Sequence, residues 1–202
     1  ITGDIPAMWL RDSSTQMWPY LTFASAEPDG PIANLIGAVC KRQMSLINRD
    51  PYANAFNVQE DGAAHSPNDD WGDHPADDLI WERKYEVDSL CFPVQLLARL
   101  VEVTGRRDLI PPDFPSAAEL IVEVLDRERN HEEESSYTFQ RADGGPLDTL
   151  PREGRGSETA PAGMTWSGFR PSDDACTYGY NIPANFLAAS ALRDLASLSE
   201  DA

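Results

Sequence analysis

The sequence predicts an all-α protein in which inner and outer helices alternate, as in an (α/α) toroid. Three observations carry that expectation. Five helical patterns are separated by Gly- and Pro-rich breaks. The second and fourth show one apolar stripe, whereas the third and fifth are apolar over most of their circumference. Three polar motifs rich in aromatic, arginine and carboxylate residues precede the first, third and fifth patterns only. In an up-down stack those three helices run parallel, so their N-termini and the motifs share one side.

Pro6 and Gly3 mark the opening stretch, ITGDIPAMWLRDSS with its Asp4, as loop or turn. Ser14 or Thr15 can cap a first helix that runs to about Ala24 and tolerates Pro19 only near its first turn. Pro28 to Pro31 break the chain, and a second helix spans about Ile32 to Arg49 on the stripe Leu35, Ile36, Val39, Cys40 and Ile47. Asp50 to Ile80 is a long polar loop, dense in carboxylates from Asn68 to Asp78. The third helix starts near Asp88 or Ser89, because Pro93 must fall in or next to its first turn, and ends at Thr104 before Gly105. The fourth begins near Pro115, with Ala118, Ile121, Val122 and Leu125 on one face. Tyr137 to Gln140 reads as a short strand, Arg141 to Gly163 as a second long loop, and the fifth helix runs from Asn181–Pro183 to about Leu198.

The totals exclude several classes. A formal net charge of −18 argues against nucleic acid and anionic membrane surfaces as partners. No apolar run reaches membrane-span length. Cys40, Cys91 and Cys176 lie in or beside apolar helical patterns, read as reduced core thiols, and favour a reducing compartment. The acidic run from Asn68 to Asp78 lacks EF-hand spacing and reads as solvated charge, and no Cys/His metal spacing, phosphate loop or Ser/His/Asp triad is present. No metal and no cofactor is expected.

The motifs point to sugar. Trp9 can cover an apolar sugar face, while Arg11 and Asp12 can grip vicinal hydroxyls; the alternative is a buried Arg–Asp pair that pins the next helix. Tyr85, Glu86 and Asp88 in WERKYEVDSL, and Trp166, Arg170, Asp173 and Asp174 in GMTWSGFRPSDDAC, repeat the same recipe. Adjacent acids beside an arginine can have their pKa values pushed apart, as a glycosidase general acid requires. One of the two, Asp174, also fits a cap on the following segment.

TGDIPAMWLRDSS, KRQM at 41–44, DPYANAF at 50–56, WERKYEVDSLCFP at 81–93 and GMTWSGFRPSDDAC at 163–176 resemble glycoside hydrolase family 125. The resemblance spans Ile1 to about Phe186. It implies an (α/α)6 fold and a metal-independent, inverting exo-α-1,6-mannosidase that acts on mannose-containing oligosaccharides or N-glycans. It implies Asp173 as general acid, and Arg11, Asp12, Glu86 and Asp88 as contacts of the terminal mannose. Trp9, Tyr85, Trp166, Arg170 and Asp174 are added on chemistry, and His65 because the family often has histidine in that loop. The family's general base is a glutamate downstream of this sequence. The motifs recur at a spacing of about 80 residues, so residues 1–202 are expected to hold about two and a half of six helix pairs, as a single partial domain without activity of its own. In such an open half-ring, Leu90, Val94, Leu97 and Val101 are expected to be covered on one flank only. Two other readings fit the residues: a non-catalytic glycan-binding module, or another (α/α) toroid enzyme such as a glucoamylase-like hydrolase or a sugar epimerase. The placement of the three histidines counts against the epimerase.

Overall fold

A computed structural model describes residues 5–200, so Asp4 of the opening motif lies outside the described residues. The chain is mostly helical, with a small sheet that corrects the all-α expectation. Strands β1 (Ala7–Trp9), β2 (Ala55–Asn57) and β3 (Ile80–Glu82) form an antiparallel sheet in the order β1-β2-β3. Ala7 faces Asn57, Trp9 faces Ala55, and Ala55 faces Glu82, with an irregularity between Ala55 and Phe56. Each strand has three residues, too short for a period-two pattern to stand out. The expected strand at 137–140 is absent; Gln140 makes only an isolated bridge to Asp70.

Helix α1 (Leu10–Met17) starts four residues before Ser14, directly off β1. Pro19 does not limit it, because a 3₁₀ turn at Trp18–Tyr20 takes the proline in its first positions, and α2 (Leu21–Ala26) follows. Helix α3 (Pro31–Arg49) uses Pro31 at its first turn. Helix α4 (Val87–Thr104) begins one residue early, which puts Pro93 inside it; Gly105, at φ 69°, ends it in the left-handed conformation. Helices α5 (Phe114–Arg127), α6 (His131–Glu134) and α7 (Ile182–Ser199) complete the set, and the Asn181 side chain caps α7 by accepting from the Ala184 N–H.

Helix α4 is the central element. It touches α1, α2, α3 and α7, while α3 also packs on α5. Leu90, Val94 and Leu97 have no exposure, and Val101 is half-buried. The expected open flank on α4 is therefore covered, which stabilises the fold by about 1.5–3 kcal/mol per large side chain. The uncovered apolar surface lies one helix further out. Helix α7 buries Ala184, Ala188, Ala191, Leu195 and Leu198 but presents Ile182, Phe186 and Leu192 to solvent. Among the described residues, no helix is long and apolar enough to cross a membrane.

The sheet aims the motifs. β1 and β3 each pair antiparallel with β2, so they run in the same direction. β1 feeds α1, and β3 reaches α4 through Arg83 to Glu86. The first turns of α1 and α4 therefore emerge on the same side.

Candidate active site

One guanidinium gathers residues from all three motifs. Arg11, in the first turn of α1, places Nη1 2.7 Å from Glu86 Oε2 and 3.4 Å from Asp88 Oδ2. Its Nη2 is 3.3 Å from Asp173 Oδ1, and its Nε is 3.4 Å from Asp12 Oδ2. Glu86 is the residue preceding α4, and Asp88 lies in that helix's first turn. The Glu86 side chain has no exposure and that of Asp88 2%, whereas those of Asp12 and Asp173 are 42% and 39% exposed. Two carboxylates thus form the buried floor of the cluster and two face water.

Burial dominates the electrostatics of the floor. It pushes the Glu86 carboxyl well above the usual range; the charges of Asp88 and Asp173 and a hydrogen bond with Asp173 add to this, and Arg11 opposes it. Asp88 is raised mainly by burial, against the pull of Arg11. For Arg11, burial disfavours the charge, but Glu86, Asp88, Asp12 and Asp173 outweigh it, so its pKa rises and it stays charged. Glu86 Oε1 and Asp88 Oδ1 are buried without a hydrogen-bond partner among the described residues.

Asp173 sits on a strained turn. Its φ is 62°, a left-handed conformation that costs a non-glycine residue about 1–3 kcal/mol. Three contacts hold it. The Asp173 N–H donates to the Arg170 carbonyl at 2.8 Å, and the Arg170 N–H donates to the Asp174 carbonyl at 2.8 Å. The buried Lys84 ammonium donates to the Asp173 carbonyl at 2.9 Å. Arg170 Nη2 also pairs with Asp174 Oδ2 at 2.7 Å, and Ser172 Oγ donates to that oxygen at 2.8 Å. Arg170 and Asp174 therefore clasp the turn by pairing with each other. A cavity of about 460 Å³ opens beside the turn, lined by Arg170, Cys176, Tyr178 and Tyr180 among others.

Arg11, Asp12, Glu86, Asp88 and Asp173 come together as expected, with Glu86 and Asp88 each 1% exposed. Tyr85 and Trp166 do not join them. Both are 1% exposed, in a stack with Tyr52, Tyr137 and His131; the His131 and Trp166 rings are 3.7 Å apart. The cause is a buried carboxylate, Glu128, which accepts from Tyr52 Oη and Ser135 Oγ and contacts His131 Nδ1, each at 2.6 Å. It anchors the aromatics in the core, where no face is left for a ligand. Trp9 packs with Ala7, Ala55 and Trp81 on the sheet, its Nε1 unpartnered among the described residues. His65 is exposed and tied to that sheet by its N–H on the Trp81 carbonyl at 3.2 Å. The sequence reading missed Lys84 and Ser89, whose Oγ donates to Glu86 Oε2 at 3.0 Å. A lysine flanked at two residues' distance by Glu82 and Glu86 inside WERKYEVDSL was the available signal for the first; nothing distinguished the serine. Among the described residues, no group of three or more His, Cys, Asp or Glu could hold a metal ion.

The chain is 35% identical over 208 residues to the meiotically up-regulated gene 157 protein of Schizosaccharomyces pombe, covering 96% of this chain and 40% of that protein. It superposes with a TM-score of 0.87 and 40% identity on a Streptococcus pneumoniae protein from a family of metal-independent α-mannosidases, in a non-productive complex with α-1,6-mannobiose. That match covers 98% of this chain and 50% of the other, so the chain spans half or less of the relatives it matches. The family model described as metal-independent α-mannosidase, glycoside hydrolase family 125, matches residues 1–202 in full, and the chain belongs to that family.

Proposed function

We propose that this chain carries the acid half of an inverting exo-α-1,6-mannosidase site, in which Asp173 protonates the glycosidic oxygen. The observation behind this is the position of Asp173: it alone joins the Arg11 cluster while standing on a strained turn, open to water and beside a cavity. Arg11 and Asp12 would hold hydroxyls of the terminal mannose. Glu86 and Asp88 would act beneath them by fixing Arg11. The cavity beside Tyr178 gives the leaving sugar of an α-1,6-linked oligosaccharide or N-glycan a place to lie.

In this mechanism the exocyclic C–O bond lengthens as the Asp173 proton moves to the departing oxygen. A base on the opposite face takes a proton from water, about 6.5–9.5 Å from the acid. Glu86, Asp88, Asp12 and Asp173 all gather on the one Arg11 guanidinium, so we place the base in a further segment and expect residues 1–202 alone to release no mannose. The solvent-facing side of α7, with Ile182, Phe186 and Leu192, suits another inner helix of an (α/α)6 ring.

The test is hydrolysis of α-1,6-mannobiose by a protein that joins these residues to that segment, followed by NMR of the first-formed anomer. β-Mannose supports the proposal; α-mannose, or turnover by residues 1–202 alone, contradicts it.

A further inference from the structure

We propose that Arg141 is a positioning residue for the acid: by occupying Glu82 it leaves the Lys84 ammonium free to hold the Asp173 turn. This rests on Asp173 being the acid of the proposed mannosidase. Asp69, Glu82, Lys84 and Arg141 form a row of buried charges, with no side chain more than 6% exposed. Arg141 donates from Nε to Asp69 Oδ1 at 2.8 Å and from Nη2 to Asp69 Oδ2 at 2.6 Å. The same Nη2 donates to Glu82 Oε1 at 2.9 Å. Asn54 Nδ2 donates to Glu82 Oε2 at 2.8 Å. Asp69 lies in the long acidic loop between β2 and β3, and paired backbone bonds of 2.8 and 2.9 Å between Asp70 and Gln140 keep it beside Arg141.

Two cations compete for Glu82. Lys84 Nζ stands 3.9 Å from Glu82 Oε1, beyond hydrogen-bonding distance, and donates instead to the Asp173 carbonyl at 2.9 Å. Its other neighbours hold it less firmly: Asp148 Oδ1 at 3.6 Å, on an exposed side chain, and the Phe169 ring centroid at 5.1 Å. A buried ammonium is drawn to a buried carboxylate more strongly than to a neutral carbonyl. In this structure Arg141 and Asn54 already satisfy Glu82, so that pull is answered. Without the guanidinium, Glu82 Oε1 loses its donor. The Lys84 ammonium, about 1 Å short of a normal hydrogen bond to it, then closes the gap. The Asp173 carbonyl is released, and the left-handed turn at φ 62° loses one of its three contacts. Arg141 acts through Glu82 and Lys84.

The signature is a reversal that a merely structural role does not produce. Arg141→Met should displace the turn. Adding Glu82→Gln, which keeps the size of the side chain but removes the charge that attracts Lys84, should restore it, although it deletes a further buried charge.

Two readouts keep this apart from the mannosidase reading. In the 202-residue chain carrying ¹³C-carbonyl and ¹⁵N aspartate, an HNCO spectrum shows Asp–Asp peptide groups alone, those at 69–70, 77–78 and 173–174. The Asp173 carbonyl signal should move in Arg141→Met toward its position in Lys84→Met, and return toward the wild type in the double variant. In a protein that joins these residues to the further segment, kcat on α-1,6-mannobiose should fall toward the roughly hundredfold loss of a misplacement of about 1 Å, with KM changed less, and recover in the double variant. Should Arg141→Met not fold, Arg141→Lys keeps the charge but lacks the fork that serves Asp69 and Glu82 together, and the same shift and reversal are expected in smaller measure. An Asp173 carbonyl signal that stays in place in these variants, or a double variant further from the wild type than the single one, overturns the proposal. The expected carbonyl shifts in a protein without mannoside turnover would support the hold on the turn and count against the mannosidase reading alone.

Discussion

Arg11→Met isolates what the guanidinium does. Methionine keeps an apolar stem of similar reach while removing the charge. Arg11 is the cation on Glu86 and Asp88, whose side chains are 0% and 2% exposed. Removing one partner of such a buried pair costs about 3–5 kcal/mol, against a whole-domain stability of about 5–15 kcal/mol. At about 2–4 °C per kcal/mol for a domain of this size, the melting midpoint should fall by about 6–20 °C. The cost should depend on pH, and its sign follows from the shifts. Burial already holds both carboxyls above their ordinary values of 4.5 and 3.8, and Arg11 pulls them down. Without Arg11 the folded-state values rise further, so the folded chain binds more protons than the unfolded chain above the ordinary range. Stability then falls as pH rises through that window. Urea unfolding of both proteins at about pH 4 and about pH 7 should show a gap that is small in acid and widens to the full amount near neutrality. A gap independent of pH, or below about 1 kcal/mol at neutrality, would mean that the cluster behaves as a surface ion pair and would refute this account of its floor.

Three further outcomes are expected. Lys84→Met should lower kcat on α-1,6-mannobiose more than it raises KM, because it releases the carbonyl that holds the strained Asp173 turn; an equal change in both would show that Lys84 only supports the fold. Asp174→Ala should loosen the Arg170 clasp and cost about 0.5–1.5 kcal/mol in urea unfolding, less than Arg11→Met; a cost equal to that of Arg11→Met would show that the clasp holds more than the turn. Treatment with EDTA and dialysis should leave mannoside turnover unchanged, whereas activity lost and then restored by calcium or zinc would point back to residues 68–78.

Helix content was legible wherever apolar periodicity ran for three turns or more. The bounds of α3, α4 and α7 fall within one or two residues of those expected, because Pro31, Gly105 and Asn181 are local signals that tertiary contacts do not override. The start of α1 was not legible. A proline reads as a helix limit, and only the structure shows it absorbed in a 3₁₀ turn. The sheet was hidden for a related reason: β1 pairs with β2 across residues 10–54, which hold α1 to α3, β2 pairs with β3 across the loop 58–79, and three residues give no pattern. At the site, shared charge made Arg11, Glu86, Asp88 and Asp173 visible as a set. Depth was not visible. Tyr85 and Trp166 carry the chemistry of a sugar platform, but Glu128, in a segment the sequence reading passed over, fixes them in the core. Arg170 and Asp174 pair with each other across the turn, a contact between neighbours that the sequence does not reveal, and Arg170 also lines the cavity beside it.

The assignment of Asp173 is tested most directly by varying the leaving group. Asp173→Asn keeps the size and polarity of the side chain but cannot deliver a proton. On α-1,6-mannobiose, whose leaving sugar needs protonation, kcat should drop by about two to four orders of magnitude. On a dinitrophenyl α-mannoside, whose leaving group departs unprotonated, turnover should stay near that of the wild type. Near wild-type turnover of the disaccharide, or an equal loss on both substrates, would contradict a proton-donating Asp173.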